Sequence, residues 1–107
     1  MGETRIQEAV LSYLNSLPHC MAENVSGNAH QSGRADINAC YKGHCLKIEL
    51  KDPEDDSYTA TQQQLLYLKR WRLAGAVTGV CYSVNDVKKL LEKVDEIQRG
   101  NDRQRKD

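Results

Sequence analysis

An α/β domain, a mixed central sheet flanked by helices, is predicted by three patterns in this chain. From His44 to Lys51 the residues alternate: Leu46, Ile48 and Leu50 share one face of a strand and Lys47, Glu49 and Lys51 the other. Val87, Leu90, Leu91, Val94 and Ile97 keep the period of an amphipathic helix. Further helical stripes and short strand-like runs interleave with these two segments, and interleaved helices and strands pack as layers. The predicted order is helix, two strands with a possible third, helix, strand, helix.

Glu3 to Leu17 opens the chain with Ile6, Val10, Tyr13, Leu14 and Leu17 at helical spacing, and Pro18 stops the run. Residues 19–31 are polar and glycine-containing. They read mostly as surface loop, with at most a short strand around Met21 to Val25. Ala35 to Tyr41 is the next strand, with Ala35, Ile37 and Ala39 on one face and Asp36 and Asn38 on the other. Lys42 and Gly43 suit a two-residue hairpin turn into the strand at His44 to Lys51.

Asp52 to Tyr58 is acidic, and Pro53 ends the strand. Thr61 followed by Gln64 forms a capping box for a helix that runs to Ala74-Gly75, a glycine stop. Leu65, Leu66, Leu68, Trp71 and Leu73 predict a broad buried stripe on it. Ala76 to Tyr82 reads as a buried strand. Ser83 with Asp86 caps the last helix, which Gly100 closes. One domain over 1–100 and a frayed polar tail over 101–107 is therefore the expected organisation.

Length and composition agree with a single core. At 107 residues the chain supports one modest hydrophobic interior. Fifteen basic and fifteen acidic residues give no net charge, which neither requires nor excludes a polyanionic partner. No apolar run reaches the roughly 18 to 20 residues of a membrane span, so no membrane partner is expected. The opening MGETRIQEAV has no basic leader followed by an apolar stretch, and Ile6 breaks a myristoylation motif. A reducing cytoplasmic setting follows, in which Cys20, Cys40, Cys45 and Cys81 are expected to be buried apolar side chains rather than disulfides.

The chemistry concentrates in SGRADINACYKGHCLKIELK, residues 32–51. If its two strands pair through Lys42-Gly43, Asp36 and Glu49 share a face with Lys51. Two carboxylates suit Mg²⁺ or Mn²⁺, and a lysine beside them suits the water that would attack a phosphodiester. The ordinary reading of Glu49 and Lys51 is a solvated strand face with a weak ion pair. Lys69, Arg70 and Arg72 beside Trp71 suit phosphate contact and base stacking, or else a solvated helix face with the tryptophan in the core. His19, His30, His44 and the cysteines show no zinc-ligand spacing.

The same stretch, followed by TATQQQLLYLKRWRLAGAVTGVCYSVNDVKKLL, resembles the virus-type replication-repair nuclease (VRR-NUC) domain, a branch of the PD-(D/E)XK superfamily with a restriction-endonuclease-like core. The family motif is carried here by Gly33, Asp36, Glu49, Lys51 and Gln64, and the similarity runs from Glu3 to about Leu91. The family's proline before the aspartate is replaced by Ala35, which alters the backbone approach and not the ligand. The resemblance implies a metal-dependent endonuclease with Mg²⁺ or Mn²⁺ held by Asp36, Glu49 and the Leu50 carbonyl, and with Lys51 at the water. Gln64 and Glu3 complete the implied catalytic set. Glu3 matches the family's first-helix acid, with Glu8 as its substitute and a helix-dipole role as the alternative. Ser32 and Arg34 join the basic cluster as candidate DNA contacts. Small phage-type members imply branched DNA such as four-way junctions as substrate, a homodimer, and the host cytoplasm as location. The alternative class is a non-catalytic DNA-binding or assembly module that keeps the nuclease fold; a sequence-reading restriction-type enzyme ranks below both.

Overall fold

The computed structural model describes residues 2–25, 36–52 and 62–104, with side chains over 5–25, 36–52 and 62–103. Seven elements follow in the order α1 (Gly2–Asn15), β1 (Cys20–Asn24), β2 (Ile37–Tyr41), β3 (His44–Leu50), α2 (Gln62–Leu73), β4 (Val77–Cys81) and α3 (Val84–Gln104). The sheet order is β1-β2-β3-β4, antiparallel except for the parallel β3–β4 pair. Parallel neighbours need a crossover, and α2 supplies it.

The hairpin forms as expected. Lys42 and Gly43 both adopt positive φ, 52° and 84°, the conformation that joins two strands in a tight turn without splaying them. That turn sets the register Ile37↔Ile48, Asn38↔Lys47 and Ala39↔Leu46. Tyr41 and Lys42 tie the turn to α3, for the Tyr41 hydroxyl and Lys42 Nζ both donate to Asp95 Oδ1, at 3.1 and 2.9 Å.

One face of the sheet carries Ile37, Ala39, Leu46 and Ile48 against Val10 and Leu14 of α1 and Val87, Leu91 and Val94 of α3. On the other face α2 lies over β3 and β4. Ser83 caps α3 as predicted, accepting from the Asp86 N–H at 3.2 Å, while the Asp86 carboxylate reaches back to the Tyr82 N–H at 2.8 Å. Gly75, at φ 112°, ends α2: its N–H donates to the Arg72 carbonyl and that of Ala76 to the Trp71 carbonyl, both at 3.0 Å.

The short strand allowed around Met21 to Val25 forms as the five-residue edge strand Cys20–Asn24, and the Asn15 side chain holds its edge by bonding both backbone groups of Ala22; residues 26–31 lie outside the described set. Three sequence expectations are corrected. α3 continues through Gly100 to Gln104, since an exposed glycine costs only about 1 kcal/mol in a helix. α2 does not bury a broad stripe. Leu68 is its one buried residue, while Leu65, Leu66 and Leu73 are 50%, 60% and 77% exposed. Finally, Cys40 and Cys45 are exposed; only Cys81 is fully buried, and burial pushes its thiol up to about 12. Thr61 and, past Asp52, the acidic loop from Pro53 to Tyr58 lie outside the described residues. No described helix is long and apolar enough to cross a membrane.

Candidate active site

Asp36 stands one residue before β2, where its carbonyl still accepts from the Val25 N–H at 2.8 Å. One step beyond Ile37↔Ile48, the ladder sets Asp36 opposite Glu49. The Asp36 carboxylate turns toward β3 and accepts from the Leu50 N–H at 2.8 Å. A strand residue projects its N–H and carbonyl to the same side, so the Leu50 carbonyl also lies on the Asp36 side.

Glu49 is 2% exposed and Lys51 1% exposed, so this polar face of β3 is not the solvated face that alternation suggested. The reason is the second layer. α2 lays Gln64 and Trp71 over it: Gln64 Nε2 donates to Glu49 Oε2 at 2.7 Å, and Lys51 Nζ pairs with the same oxygen at 3.2 Å. Lys51 is fixed at its backbone too, through an N–H to the Cys81 carbonyl at 3.0 Å. Asp36, Glu49, Lys51 and Gln64 thus come together from three elements of sequence.

Glu49 Oε1 is buried and, among the described residues, receives no hydrogen bond. An orphaned buried carboxylate oxygen carries a desolvation cost that neutralisation or a cation relieves. Burial, then the neighbouring Asp36 charge, pushes the Glu49 carboxyl up to about 7, with Lys51 opposing. The folded state therefore holds a proton that the unfolded chain has released. Stability in the metal-free protein is expected to be fully present below about pH 4.5 and to fall, by at most about 3 kcal/mol, as pH rises through 7. Urea midpoints from pH 4.5 to 8 in chelator check this; a flat profile would contradict it.

The oxygen donors of Asp36, Glu49 and the Leu50 carbonyl are hard and few, which fits Mg²⁺ or Mn²⁺ retaining water ligands. They lack the nitrogen and sulfur donors that zinc sites favour. No group of three or more His, Cys, Asp or Glu that could hold any metal ion occurs among the described residues, so the Leu50 carbonyl and water would have to complete the coordination of a cation here. Glu3 lies in α1, but its side chain is outside the described set, as are Ser32, Gly33, Arg34 and His30. Glu8 is exposed.

Lys69 and Arg70 are exposed on α2, while Arg72 Nη1 reaches Thr78 Oγ1 at 3.4 Å. Trp71 is half-buried rather than a core residue. Lys47 Nζ sits 3.9 Å from its ring centroid and donates to Asn38 Oδ1 at 2.7 Å. Lys47 was not singled out from the sequence, although its position two residues before Glu49 on the same face was the available signal.

The domain is an α/β fold whose mixed sheet, between a two-helix layer and a single helix, carries carboxylates and a lysine at one end. A solved structure described as a "VRR_NUC domain" aligns over 86% of this chain and 96% of its own length, with a TM-score of 0.68 and 26% identity. The chain has the VRR-NUC form of the PD-(D/E)XK-like fold. No family model and no curated protein matches its sequence.

Proposed function

We propose that this domain is a metal-dependent DNA endonuclease that hydrolyses phosphodiesters in branched DNA such as four-way junctions. The observation that carries the reading is the buried Glu49 carboxylate, whose Oε2 pairs with the buried Lys51 while its Oε1 has no hydrogen bond among the described residues, with the Asp36 charge near enough to raise its pKa. Asp36 and Glu49, with the Leu50 carbonyl, hold the cation. When bound, Mg²⁺ or Mn²⁺ polarises the phosphoryl oxygen and makes a water more acidic. Gln64 donates to Glu49 Oε2, which holds the carboxylate in place and would leave Oε1 available as a ligand. Lys51 orients the attacking water and stabilises charge that grows on the phosphoryl group. The branched substrate is supported by resemblance to small phage-type members of the family. A panel of four-way, flap, splayed and linear duplex DNAs with Mg²⁺ or Mn²⁺ tests it: preferential cutting of the four-way form is expected, and equal cutting of linear duplex would remove the structure specificity.

The stripe of Leu65, Leu66 and Leu73 on the outer side of α2 supports a homodimer, since opposed strands of a junction need two sites. Leu66→Glu with Leu73→Glu is expected to give a monomer by light scattering at micromolar concentration. A variant that stays dimeric would move the interface elsewhere. Lys69, Arg70 and, outside the described residues, Ser32 and Arg34 serve as DNA contacts in this reading. The second reading is a non-catalytic DNA-binding or assembly module that keeps the nuclease fold; the lack of net positive charge, where a tight phosphate binder is often basic, leans toward its assembly form.

A further inference from the structure

Cys40 and Cys45 are directly opposed on β2 and β3, at the step of the ladder next to the turn. Both are exposed thiols, and Met21, which flanks Cys40 on β1, is 74% exposed. The hydrogen bonds of the sheet fix what kind of pair this is. Lys42 donates its N–H to His19, on the β1 side, so even-numbered residues of β2 turn their backbone groups toward β1. Lys51 donates to Cys81 and Leu50 toward Asp36, so odd-numbered residues of β3 turn theirs toward β4. The backbone groups of Cys40 and Cys45 therefore point away from each other. They form a non-hydrogen-bonded pair, in which Cα atoms approach to about 4.5 Å and side chains are nearest. That separation lies within the range a disulfide spans, and the two Cβ vectors leave the sheet on the same side.

We propose that Cys40 and Cys45 are a redox site: a cross-strand thiol pair that a low-molecular-weight disulfide, such as oxidised glutathione, closes into a reversible disulfide. One thiolate attacks a sulfur of oxidised glutathione, forming a mixed disulfide and releasing one glutathione thiolate. The opposed cysteine, as thiolate, then attacks the protein sulfur of that mixed disulfide. The Cys40–Cys45 bond forms, the second glutathione thiolate leaves, and the two protein protons are taken up by the two glutathione thiolates. The protein pair loses two electrons and the glutathione disulfide gains them. Exposure and the cross-strand position put this bond among those that are readily reduced again. The ladder Cys40↔Cys45, Ala39↔Leu46, Asn38↔Lys47, Ile37↔Ile48 leads to Asp36 and Glu49, so the bond fixes the register on which that pairing depends, about 13 Å away along the strands. Cys20 does not compete, because it lies on the core face with Tyr41 and Ala22, and Cys81 is buried.

The test exposes the reduced native protein to oxidised glutathione, quenches with acid, alkylates free thiols and maps tryptic peptides. Trypsin cuts after Lys42, so the two cysteines fall in separate peptides. The expected result is a linked pair of peptides carrying Cys40 and Cys45, a loss of two hydrogens from the intact mass, full reversal by excess reduced glutathione, and alkylated Cys81. Cys45→Ser is expected to trap glutathione on Cys40 instead. Separate, persistent glutathione adducts on Cys40 and Cys45 in the unsubstituted protein, or a Cys20–Cys40 linkage, would overturn the assignment.

Discussion

Lys51→Met is expected to lower junction cleavage by at least about a thousandfold while the domain stays folded and still binds the junction. Lys51 is the largest fully buried side chain among the described residues, so alanine would leave a void as well as remove the ammonium, and methionine separates the two effects. Folding survives because Glu49, already inclined to keep its proton, takes one up when its cation partner is gone. Binding survives because Lys51 contributes little exposed charge. Single-turnover cleavage, with circular dichroism and a gel-shift on the same preparation, checks this. Cleavage at the unsubstituted rate would show that Lys51 is not catalytic, and lost binding would make it a DNA contact.

Glu49→Gln is expected to move stability and activity in opposite directions. Glutamine has the shape of the protonated carboxyl and still accepts from Gln64, so it removes the buried charge that raises the Glu49 carboxyl to about 7. In chelator at pH 8 the variant should be more stable by about 1 to 3 kcal/mol, a figure that already includes loss of the Lys51 pair because the shift does. Below about pH 4.5 folded and unfolded carboxyls are both protonated, and the gain should vanish. Cleavage should be lost at every pH. Equal stabilisation at pH 4.5 and 8 would trace the effect to packing, and retained cleavage would remove Glu49 from the cation's ligands.

The two ends of the chain's logic were differently legible. Alternation in His44 to Lys51 and the Lys42-Gly43 turn specified the hairpin, because a two-residue turn admits one register and that register puts Asp36 opposite Glu49. Ser83 and Val87 to Val94 specified α3 for similarly local reasons. What alternation does not report is a second layer. It leaves a solvated strand face as the ordinary reading of Glu49 and Lys51, yet α2 covers that face, and its burial is what gives the site its raised Glu49 carboxyl and its Lys47–Trp71 contact. The leucines of α2 erred in the opposite sense. Their spacing predicts a buried stripe, but a lone helix across β3 and β4 presents a narrow footprint, which Gln64, Leu68 and Trp71 fill. β1 was faint because of its five residues only Ala22 is buried and apolar. The identity of the DNA substrate is not written in local pattern at all, and rests on family resemblance.

The central claim is that Asp36 and Glu49 form a divalent-cation site, and calorimetric titration of Mn²⁺ into the folded protein at pH 7.5 or above tests it most directly, where Glu49 is ionised. Saturable binding is expected in the unsubstituted chain, weakened at least about tenfold in Asp36→Asn, which corresponds to about 1.4 kcal/mol. No binding, or binding unchanged in Asp36→Asn, would contradict the claim and favour a domain that keeps the nuclease fold without its chemistry.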